Sequence, residues 1–360
     1  MHTVTHVCKK FFPIKGGIEV VVDTLCRVTR GVVYNRIICS GTNQNVHYEF
    51  ADVDEVRSYG ELFSTPIVPR IFIEIYKALK TSDIVCVHYP FPYADVSVAL
   101  FGFFSKKKIV VYWHSKIYSQ KFLNLALSPL TFLMLARADT IVIATPPMLE
   151  SSFLLGFFKK KVSVIPYALD AGSMQNIEPT KSSSNDYFLA IGRHVKYKGF
   201  EVLIRAMELN QSSLIIVGDG ALSDKHQHLI DSLKLNDRVV LLRSVSNIEK
   251  EKLLANCRAL VLPSIYPSEA FALVQLEAMK YGKPVINTNL ESGVPWVARH
   301  KKEAITVDVG DVLQLSDAID KLQHDDKLVA ELGEQAVIRV DNEFSLNGFT
   351  KKVEDLLKPL

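Results

Sequence analysis

The segment SIYPSEAFALVQLEAMKYGKP, residues 264–284, decides the fold class. An apolar run at residues 259–262 precedes it, and a second apolar run covers residues 284–287. Between the two runs, residues 270–281 have the length and composition of a helix. A short apolar strand, a helix and another short apolar strand form the βαβ unit of a parallel sheet.

The same alternation of short apolar runs and longer amphipathic segments extends along the whole chain. The runs are apolar almost throughout, as expected for parallel strands that are covered on both faces. We therefore predict an α/β protein with doubly wound sheets. The predicted strands are residues 4–8, 36–39, 84–88, 109–114, 140–144, 162–166, 187–191, 213–217, 238–242, 259–262, 284–287 and 304–307, and the predicted helices include residues 18–30, 200–208, 270–281 and 346–360.

A polar segment at residues 171–186 divides this series into two halves. It contains Pro179 and three consecutive serines, a composition that is typical of a linker. We predict one domain over residues 1–170 and a second over residues 171–345. Because ligands of open α/β sheets bind beyond the carboxyl ends of the strands, we expect both domains to face a central cleft.

Composition narrows the class of function. Of the 360 residues, 48% are hydrophobic and 22% are charged, as in ordinary globular proteins. The net charge is only +3, from 42 basic and 39 acidic residues, so nucleic-acid binding through bulk charge is not expected. No run approaches the ~18 apolar residues of a membrane span, and the first residues lack the apolar region of a signal peptide. Five scattered cysteines predict reduced thiols and a cytoplasmic location.

Two glutamates of the deciding segment could hold a ligand. Glu269 stands just before the predicted helix, and Glu277 lies about two turns along it. At the helix start, the backbone N–H groups of Phe271, Ala272 and Leu273 would attract a phosphate. Glu277 could accept hydrogen bonds from ribose hydroxyls, and Glu269 from sugar hydroxyls. On spacing alone, a solvated helix cap with an exposed glutamate explains the pattern equally well.

The loop IGRHVKYKG, residues 191–199, follows the first predicted strand of the second domain. Arg193 offers a rigid bidentate fork and Lys198 a mobile point charge, and together they suit a diphosphate. Gly218, in the sequence VGDG, follows the next predicted strand and would lie at the same edge. A solvated basic turn is the alternative interpretation.

The first domain offers a third group of candidates. Gly16 and Gly17 follow the first predicted strand, where two glycines let the backbone approach a ligand closely. His114 ends one predicted strand and His88 another, and an imidazole at that position could donate a hydrogen bond to a substrate. A tight structural turn and two structural histidines remain the alternatives.

Metal and nucleophile chemistry have little support in the sequence. Asp52 and Asp54 have the DxD spacing of a metal–diphosphate site, but they lie in an acidic, poorly periodic stretch that chance explains better. No cluster of His, Cys and carboxylate residues has metal-ligand spacing, and no GxSxG motif occurs. We therefore predict no bound metal and no cofactor.

Together these motifs resemble the retaining glycosyltransferases of the GT-B fold, and within them family four. The resemblance covers nearly the whole chain. It implies two Rossmann-like domains, with the acceptor on the first, a nucleotide sugar on the second, no requirement for metal, and a last helix that packs back on the first domain. It rests on GGIE at residues 16–19, the strand that ends in His114, GRHVKYKG at residues 192–199, VGDG at residues 217–220 and SEAFALVQLEAMKYGKPVI at residues 268–286.

The resemblance implies a role for each candidate of the second domain. Arg193 and Lys198 would neutralise the donor diphosphate, and Glu277 would bind the ribose. Glu269 would hold the donor sugar, aided by the N–H groups of residues 271–273. Gly218 would line the same donor-binding edge.

In the first domain, the resemblance implies that His114 contacts the sugar near the reacting carbon. Gly16 and Gly17 would line the phosphate and acceptor side. The chain also departs from the family pattern at two points. Ala272 stands where the family usually has glycine, and Tyr167 begins a Tyr-Ala pair where the family usually has Asn-Gly.

A narrower resemblance concerns HYPFPYAD at residues 88–95, WHSKIYSQK at residues 113–121 and SGVPWV at residues 292–297. These segments resemble bacterial mannosyltransferases that build lipid-linked O-antigen or exopolysaccharide, although such relatives often carry aspartate in place of Lys116. We therefore expect transfer of a hexose, mannose from GDP-mannose, to a lipid-linked or oligosaccharide acceptor.

Several alternatives remain open. The donor could be a UDP-sugar, or the protein could be a sugar-nucleotide epimerase on the same fold. A glycoside hydrolase using Glu269 and Glu277 is disfavoured, because carboxylates near one helix start do not flank a bond from opposite sides. A binding module without activity is disfavoured by the intact basic and acidic residues.

Two segments with the same composition suggest contact with a membrane surface. LFGFFSKKK at residues 100–108 and LLGFFKKK at residues 154–161 each place aromatic residues before three lysines. Aromatic rings suit the headgroup boundary and lysines attract anionic lipid. We expect peripheral contact with the inner face of the bacterial plasma membrane. Two ordinary helix ends are the alternative.

Overall fold

The computed structural model describes residues 1–13, 16–62, 65–115, 121–169, 177 and 187–359, with the side chains of residues 121–126 excepted. The chain forms two compact units. The first comprises residues 1–167 and 347–360, and the second residues 168–346. The predicted linker at residues 171–186 lies outside the described residues, apart from Ile177.

The first unit is built on an eight-stranded sheet with helices between its strands. Its strand order is β10-β9-β8-β7-β1-β2-β4-β3, and every neighbouring pair is parallel except β3 with β4. The strands are β1 (Thr3–Val7), β2 (Tyr34–Gly41), β3 (Asn45–Tyr48), β4 (Ala51–Arg57), the separate pair β5 (Glu61–Leu62) and β6 (Thr65–Pro66), β7 (Ile84–Tyr89), β8 (Lys108–Trp113), β9 (Thr140–Ile143) and β10 (Val162–Val164). The helices are α1 (Gly17–Val28), α2 (Ile71–Thr81), α3 (Pro92–Phe101), α4 (Lys121–Arg137), α5 (Pro146–Glu150) and α6 (Phe153–Gly156).

The second unit has a six-stranded, wholly parallel sheet of order β13-β12-β11-β14-β15-β16. Its strands are β11 (Tyr187–Ile191), β12 (Ser213–Val217), β13 (Val239–Leu242), β14 (Ala259–Leu262), β15 (Val285–Thr288) and β16 (Ala304–Val307). Its helices are α7 (Phe200–Glu208), α8 (Ser223–Ser232), α9 (Asn247–Asn256), α10 (Leu273–Lys280), α11 (Val294–Val297), α12 (Val312–His324) and α13 (Asp326–Glu343). The predicted α/β class with doubly wound parallel sheets is confirmed.

Apolar sequences explain why the central parallel strands of both sheets are buried. All six residues of β7 and all four of β14 are buried, as strands covered by helices on both faces must be. In the second unit, one apolar core joins residues of β11, β12 and β14 with α7 and α12. These central strands carry the site residues at their carboxyl ends.

The last helix, α14 (Leu346–Leu356), belongs to the first unit. The residues at its end and after it are hydrogen-bonded to two positions of that unit. His2 Nε2 hydrogen-bonds the carbonyl of Leu357 at 2.7 Å, and Lys108 Nζ donates to the carbonyls of Leu356 and Lys358 at 2.8 and 2.7 Å. Lys108 is therefore a structural lysine.

The acidic stretch with the DxD spacing is a strand, which the sequence pattern did not predict. It forms β4, parallel to β2 and antiparallel to β3. Both carboxylates have protein partners, because Asp52 hydrogen-bonds Tyr34 and His47 while Asp54 pairs with Arg36. A metal–diphosphate site at this point has no support from the structure.

Two further features bear on the sequence predictions. All five cysteines are buried free thiols, as predicted. Within the described part of the chain, no helix is both long and apolar enough to cross a membrane.

Candidate functional site

The second-unit candidates meet at one edge of its sheet. Arg193 follows β11, Gly218 follows β12 and Ser264 lies shortly after β14. These three strands are neighbours in the sheet, so their carboxyl ends share an edge. The loops after them therefore converge.

A buried ion pair lies at the centre of this edge. Lys198 Nζ and Glu269 Oε2 are 2.6 Å apart, and their side chains are only 11% and 10% exposed. Ser264 Oγ donates a hydrogen bond to the same carboxylate oxygen at 3.1 Å. Burial lowers the pKa of Lys198, but the Glu269 carboxylate and Tyr197 together outweigh burial and raise that pKa above its ordinary value. Lys198 is therefore a fixed positive charge at neutral pH.

Arg193 differs from Lys198 because its side chain is exposed to solvent. Its positive charge acts on Lys198 and opposes the rise in the pKa of that lysine. The two residues thus form one basic group, in which Lys198 is buried and Arg193 is exposed. A rigid cation beside a guanidinium fork suits an anion that carries two phosphates.

Backbone packing brings the two glycine loops together. Gly218 has φ +138°, and a Cβ built on it would lie 2.0 Å from the carbonyl oxygen of Gly192. Gly199 has φ +69°, and its Cβ would lie 1.9 Å from the carbonyl oxygen of Pro263. Neither position can carry a side chain without displacing backbone. The glycines at residues 218 and 199 therefore fix the close approach of the loops after β11, β12 and β14.

Helix α10 begins three residues later than the sequence pattern predicted. Ala272 caps it in the left-handed region, at φ 59° and ψ 78°, and the first helical residue is Leu273. The first-turn N–H groups without intrahelical acceptors are consequently those of Ala272, Leu273 and Val274, and Phe271 precedes the cap with its ring buried. This end of the helix dipole follows Glu269 closely in the chain.

Glu277 lies further along α10 and has a partner that sequence reasoning missed. Lys250 Nζ, from α9, contacts both of its carboxylate oxygens at 3.0 and 2.9 Å. The pair is partly exposed, with 28% of the Lys250 side chain and 23% of the Glu277 side chain accessible. The carboxylate is therefore oriented and still accessible to a ligand.

In the first unit, the glycine pair starts α1. Gly16 is the N-cap in an extended conformation and Gly17 is the first helical residue. The Gly16 carbonyl accepts the first intrahelical bond, from Val20 N at 3.1 Å. Residues 14–15 of the same loop lie outside the described residues.

His114 directly follows β8 and is buried. Its Nε2 is 2.9 Å from His88 Nδ1, and its Nδ1 hydrogen-bonds the hydroxyl of Tyr167. Burial lowers the pKa of His114 to about 3, so the ring is neutral at pH 7. Both ring nitrogens thus have protein partners.

Two family models match the chain and together cover most of it. The model described as Glycosyltransferase Family 4 matches residues 15–172, and that described as Glycosyl transferases group 1 matches residues 175–339. The chain belongs to glycosyltransferase family 4, group 1. The two doubly wound units are those of the GT-B fold.

Similar proteins agree with this assignment. This glycosyltransferase is 28% identical to O-antigen chain mannosyltransferase C of Escherichia coli over 353 residues, which are 95% of this chain and 94% of the relative. It is 28% identical to the D-rhamnosyltransferase WbpZ of Pseudomonas aeruginosa over 334 residues, 90% and 87% of the two chains. Among solved structures, HepE of Anabaena in complex with UDP superposes with a TM-score of 0.81 at 18% identity and covers 100% of both chains.

The structure groups the predicted residues of the glycosyltransferase by unit. It places Lys198 against Glu269, with Arg193, Gly218 and the start of α10 at the same sheet edge. Lys116 lies outside the described residues. The described residues contain no group of three or more His, Cys, Asp or Glu side chains that could hold a metal ion.

Sequence reasoning missed three residues that contact the site. Lys250 and Ser264 hold the two glutamates, and Tyr167 hydrogen-bonds His114. No sequence motif pointed to Lys250, because it lies 27 positions from its partner Glu277. The sequence did point to Tyr167, because this residue departs from the family pattern next to the predicted domain boundary.

Proposed function

We propose that this glycosyltransferase transfers mannose from GDP-mannose, with retention of configuration, to a lipid-linked or oligosaccharide acceptor in bacterial surface polysaccharide synthesis. In this proposal the second unit, over residues 171–345, binds the nucleotide sugar, and the first unit, over residues 1–170 with the last helix, serves the acceptor. The O-antigen and rhamnosyl relatives support the class of product.

The observation that carries the proposal is the buried Lys198–Glu269 pair beside Arg193 and the open start of α10. When the sugar leaves, the nucleoside diphosphate gains negative charge. A preorganised ammonium, a guanidinium and the N–H groups of a helix start stabilise that charge without reorganisation. They supply the positive charge that a divalent metal supplies elsewhere, so we propose that transfer needs no metal and no cofactor.

Retention is supported by the state of the two glutamates. Glu269 is committed to Lys198 and Ser264, and Glu277 to Lys250. Neither is a free carboxylate that could act as a general base or nucleophile. We propose that a phosphate oxygen of the departing diphosphate takes the acceptor proton, so that acceptor and leaving group share one face of the sugar.

We further propose that the enzyme works at the inner, cytoplasmic face of the plasma membrane. The turn after α3 exposes Phe104 at 88%, and α6 exposes Phe153 at 82%. The end of α4 joins the two segments, because Arg137 donates to the carbonyl of Gly102 while Lys161 donates to that of Ala136. Aromatic rings and lysines thus share one border of the first unit, at the amino ends of β8 and β10.

A second candidate donor is a UDP-sugar, which the fold similarity to HepE in its UDP and UDP-glucose complexes favours. Thermal-shift titrations with GDP-, UDP- and dTDP-sugars distinguish the donors, because selective binding raises the unfolding temperature. We expect stabilisation by GDP-mannose, release of GDP only with acceptor, and an α-linked product by NMR. Conversion of the donor to an epimer without acceptor, or an inverted product, would contradict the proposal.

A further inference from the structure

A buried amide side chain lies in the first turn of α10. Gln275 is 0% exposed, between the apolar residues Val274 and Leu276. Its side-chain nitrogen donates to the carbonyl of Phe271 at 3.0 Å, and its backbone nitrogen donates to the carbonyl of Ala272 at 2.9 Å. In a continuous α-helix the backbone N–H bonds the carbonyl four residues back. The Gln275 side chain therefore makes the bond that its backbone does not make at the cap.

Gln275 thus holds both peptide groups that flank Ala272. The side-chain bond holds the peptide between Phe271 and Ala272, and the backbone bond holds the peptide that follows Ala272. Ala272 has φ 59°, in the left-handed region that L-residues avoid because their Cβ approaches the following carbonyl oxygen. An alanine in this conformation needs support from its surroundings, and the two bonds from Gln275 supply it.

The first of these peptides determines the direction of a hydrogen-bond donor. The peptide between Phe271 and Ala272 is trans, and in a planar trans peptide the C=O and N–H groups point in opposite directions. Because the Phe271 carbonyl is directed along the helix to Gln275, the Ala272 N–H is directed out of the helix start. This N–H is one of the groups that we propose for the departing diphosphate.

A second buried amide, Asn287 of β15, holds the Gln275 side chain. Asn287 Nδ2 donates to Gln275 Oε1 at 3.2 Å and to the carbonyl of Ala298 at 2.8 Å, and its Oδ1 accepts from Thr306 Oγ1 at 2.8 Å. Backbone carbonyls only accept, so the bonds to Phe271 and Ala298 identify the nitrogen of each amide. Buried amides are costly unless they are hydrogen-bonded, and every polar atom of these two has a partner.

Apolar packing is the competing explanation for the conformation of Ala272. The Ala272 side chain packs against a buried cluster of Leu262, Leu290 and Val294. Packing holds a side chain by its shape, whereas the hydrogen bonds of Gln275 also set the direction of the N–H. The two explanations separate when the hydrogen bonds are removed and the volume is kept.

We propose that Gln275 and Asn287 are positioning residues that hold Ala272 in the left-handed cap and direct its N–H toward a phosphate of the nucleotide sugar. Neither side chain contacts the ligand in this proposal, because both act through the backbone of Ala272. The inference rests on the proposed function and deepens it. It identifies the side chains that let an alanine serve where the family usually has glycine.

The first experiment needs no nucleotide. Gln275→Met keeps an unbranched side chain of similar length and removes both of its amide bonds. In a crystal structure of this variant we expect the peptide between Phe271 and Ala272 to rotate and Ala272 to leave the left-handed region. An unchanged φ and an unchanged peptide direction would overturn the proposal.

Calorimetry with GDP and with UDP then tests the effect on binding. Gln275→Met should weaken binding of the nucleoside diphosphate about 10-fold, the value of one hydrogen bond to a charged group. Asn287→Val keeps Gln275 but removes its holding bond, so it should weaken binding about 3-fold. Asn210→Leu is the matched control. Asn210 is a buried amide that bonds the Ala206 carbonyl at 3.1 Å, and it precedes β12 at the opposite edge of the sheet, so its loss should leave affinity unchanged.

A second-site substitution distinguishes positioning from packing. Glycine adopts the left-handed conformation without steric cost, so Ala272→Gly should make the cap less dependent on Gln275. In the Ala272→Gly background, Gln275→Met should therefore weaken nucleotide binding by about 3-fold or less, instead of about 10-fold. Equal losses in the two backgrounds would indicate packing alone and would overturn the positioning role.

The remaining outcomes separate this inference from the proposed function. Unchanged affinity in folded Gln275→Met and Asn287→Val proteins would overturn the inference, and Asn287→Val carries the same test where Gln275→Met does not fold. A wild-type protein that binds neither GDP nor UDP, although the peptide rotates in Gln275→Met, would instead contradict the proposed function.

Discussion

The ammonium of Lys250 contacts both carboxylate oxygens of Glu277, at 3.0 and 2.9 Å, and so joins α9 to α10. Partly exposed ion pairs contribute little to stability, so holding the helices together is a minor effect of this contact. Its larger effect is orientation. The carboxylate that we propose for the ribose is held in one direction before the nucleotide arrives.

Glu277→Ala should weaken binding of free nucleoside diphosphate about 10- to 100-fold, since hydrogen bonds to a charged acceptor are lost. Lys250→Ala should weaken it less, because the acceptor remains but is no longer oriented. Glu269→Ala should spare the free nucleotide and weaken the intact sugar donor. Isothermal titration calorimetry measures all three. Lys280→Ala is the control, because Lys280 lies on α10 with Glu277 but pairs with Asp341 of α13. Equal losses for Glu277→Ala and Glu269→Ala would contradict the proposed roles.

The alanine variants of Arg193 and Lys198 should lose similar amounts of activity but should differ in stability. Each alanine variant should lower turnover by a factor on the order of 10², and the double variant should be less than additive because both charges serve one leaving group. Lys198→Ala also leaves the buried Glu269 carboxylate without its cation, at a cost of about 3 kcal/mol, whereas exposed Arg193 should change stability by less than about 0.5 kcal/mol. Turnover assays and urea unfolding test both statements. Near-normal turnover in both single variants would remove the assigned site.

The sequence predicted the fold well because central parallel strands are apolar throughout. The predicted bounds of β11, β12, β14 and β16 agree with the structure. Strand β4 was missed, since its alternate positions carry aspartates that face partners rather than an apolar layer. The sequence pattern predicted the start of α10 three residues too early. The residue types Ala-Phe-Ala do not indicate that Ala272 adopts a positive φ.

The roles of the site residues stay predictions, and the structure adds the pairings between their side chains. Loop residues after strands were chosen as candidates because topology alone brings strand ends together. The partners of the two glutamates depend on tertiary packing across distant positions, as Lys250 with Glu277 shows. The hydrogen bonds that connect His6, His88 and His114 depend on the register between β1, β7 and β8, which no single segment determines.

Substitutions at Ala272 test the left-handed cap of α10, where φ is 59°. Ala272→Gly removes the cost of about 1 kcal/mol that an L-residue incurs there, and it adds a similar entropic cost in the unfolded chain, so stability should change by less than about 1 kcal/mol. Ala272→Val should destabilise by about 2 kcal/mol or more, since a β-branched residue tolerates this conformation poorly. Thermal unfolding compares the two. A neutral valine variant would show that the left-handed cap does not persist in solution.

The buried carboxyl of Asp95 should make the free energy of unfolding depend on pH. Burial raises the pKa of this carboxyl from 3.8 to about 8; its Oδ1 has no hydrogen-bond partner within the described residues, and Thr131 donates to Oδ2 at 3.4 Å. Between pH 4 and 8 the folded protein keeps a proton that the unfolded chain has lost, so stability falls as pH rises, by at most about 1.4 kcal/mol per unit. Asp95→Asn cannot ionise. Its advantage in unfolding temperature should therefore grow from pH 5 to pH 8.5, whereas exposed Glu150→Gln should show no such trend; a constant difference would refute the assignment.

The border of the first unit that exposes aromatic residues and lysines contains two kinds of lysine. Lys161 donates to the carbonyls of Ala136 and Ala138 and is therefore structural. Lys159 and Lys160 are exposed. Reversing only the exposed pair therefore tests membrane attraction without disturbing the fold.

Each lysine near an anionic surface contributes about 1 kcal/mol, so Lys159→Glu with Lys160→Glu should weaken binding to anionic vesicles by at least 10-fold at low salt. Phe104→Ser with Phe153→Ser should weaken it also at high salt, because inserted rings are not screened. The matched control reverses Lys252 and Lys321, two exposed lysines of the second unit. Co-sedimentation measures vesicle binding, and calorimetry with nucleoside diphosphate should show unchanged affinity in the border variants, since we propose that the nucleotide binds the second unit. Vesicle binding that is absent at low ionic strength, or that responds equally to the control, would leave this border as two helix ends with solvated lysines.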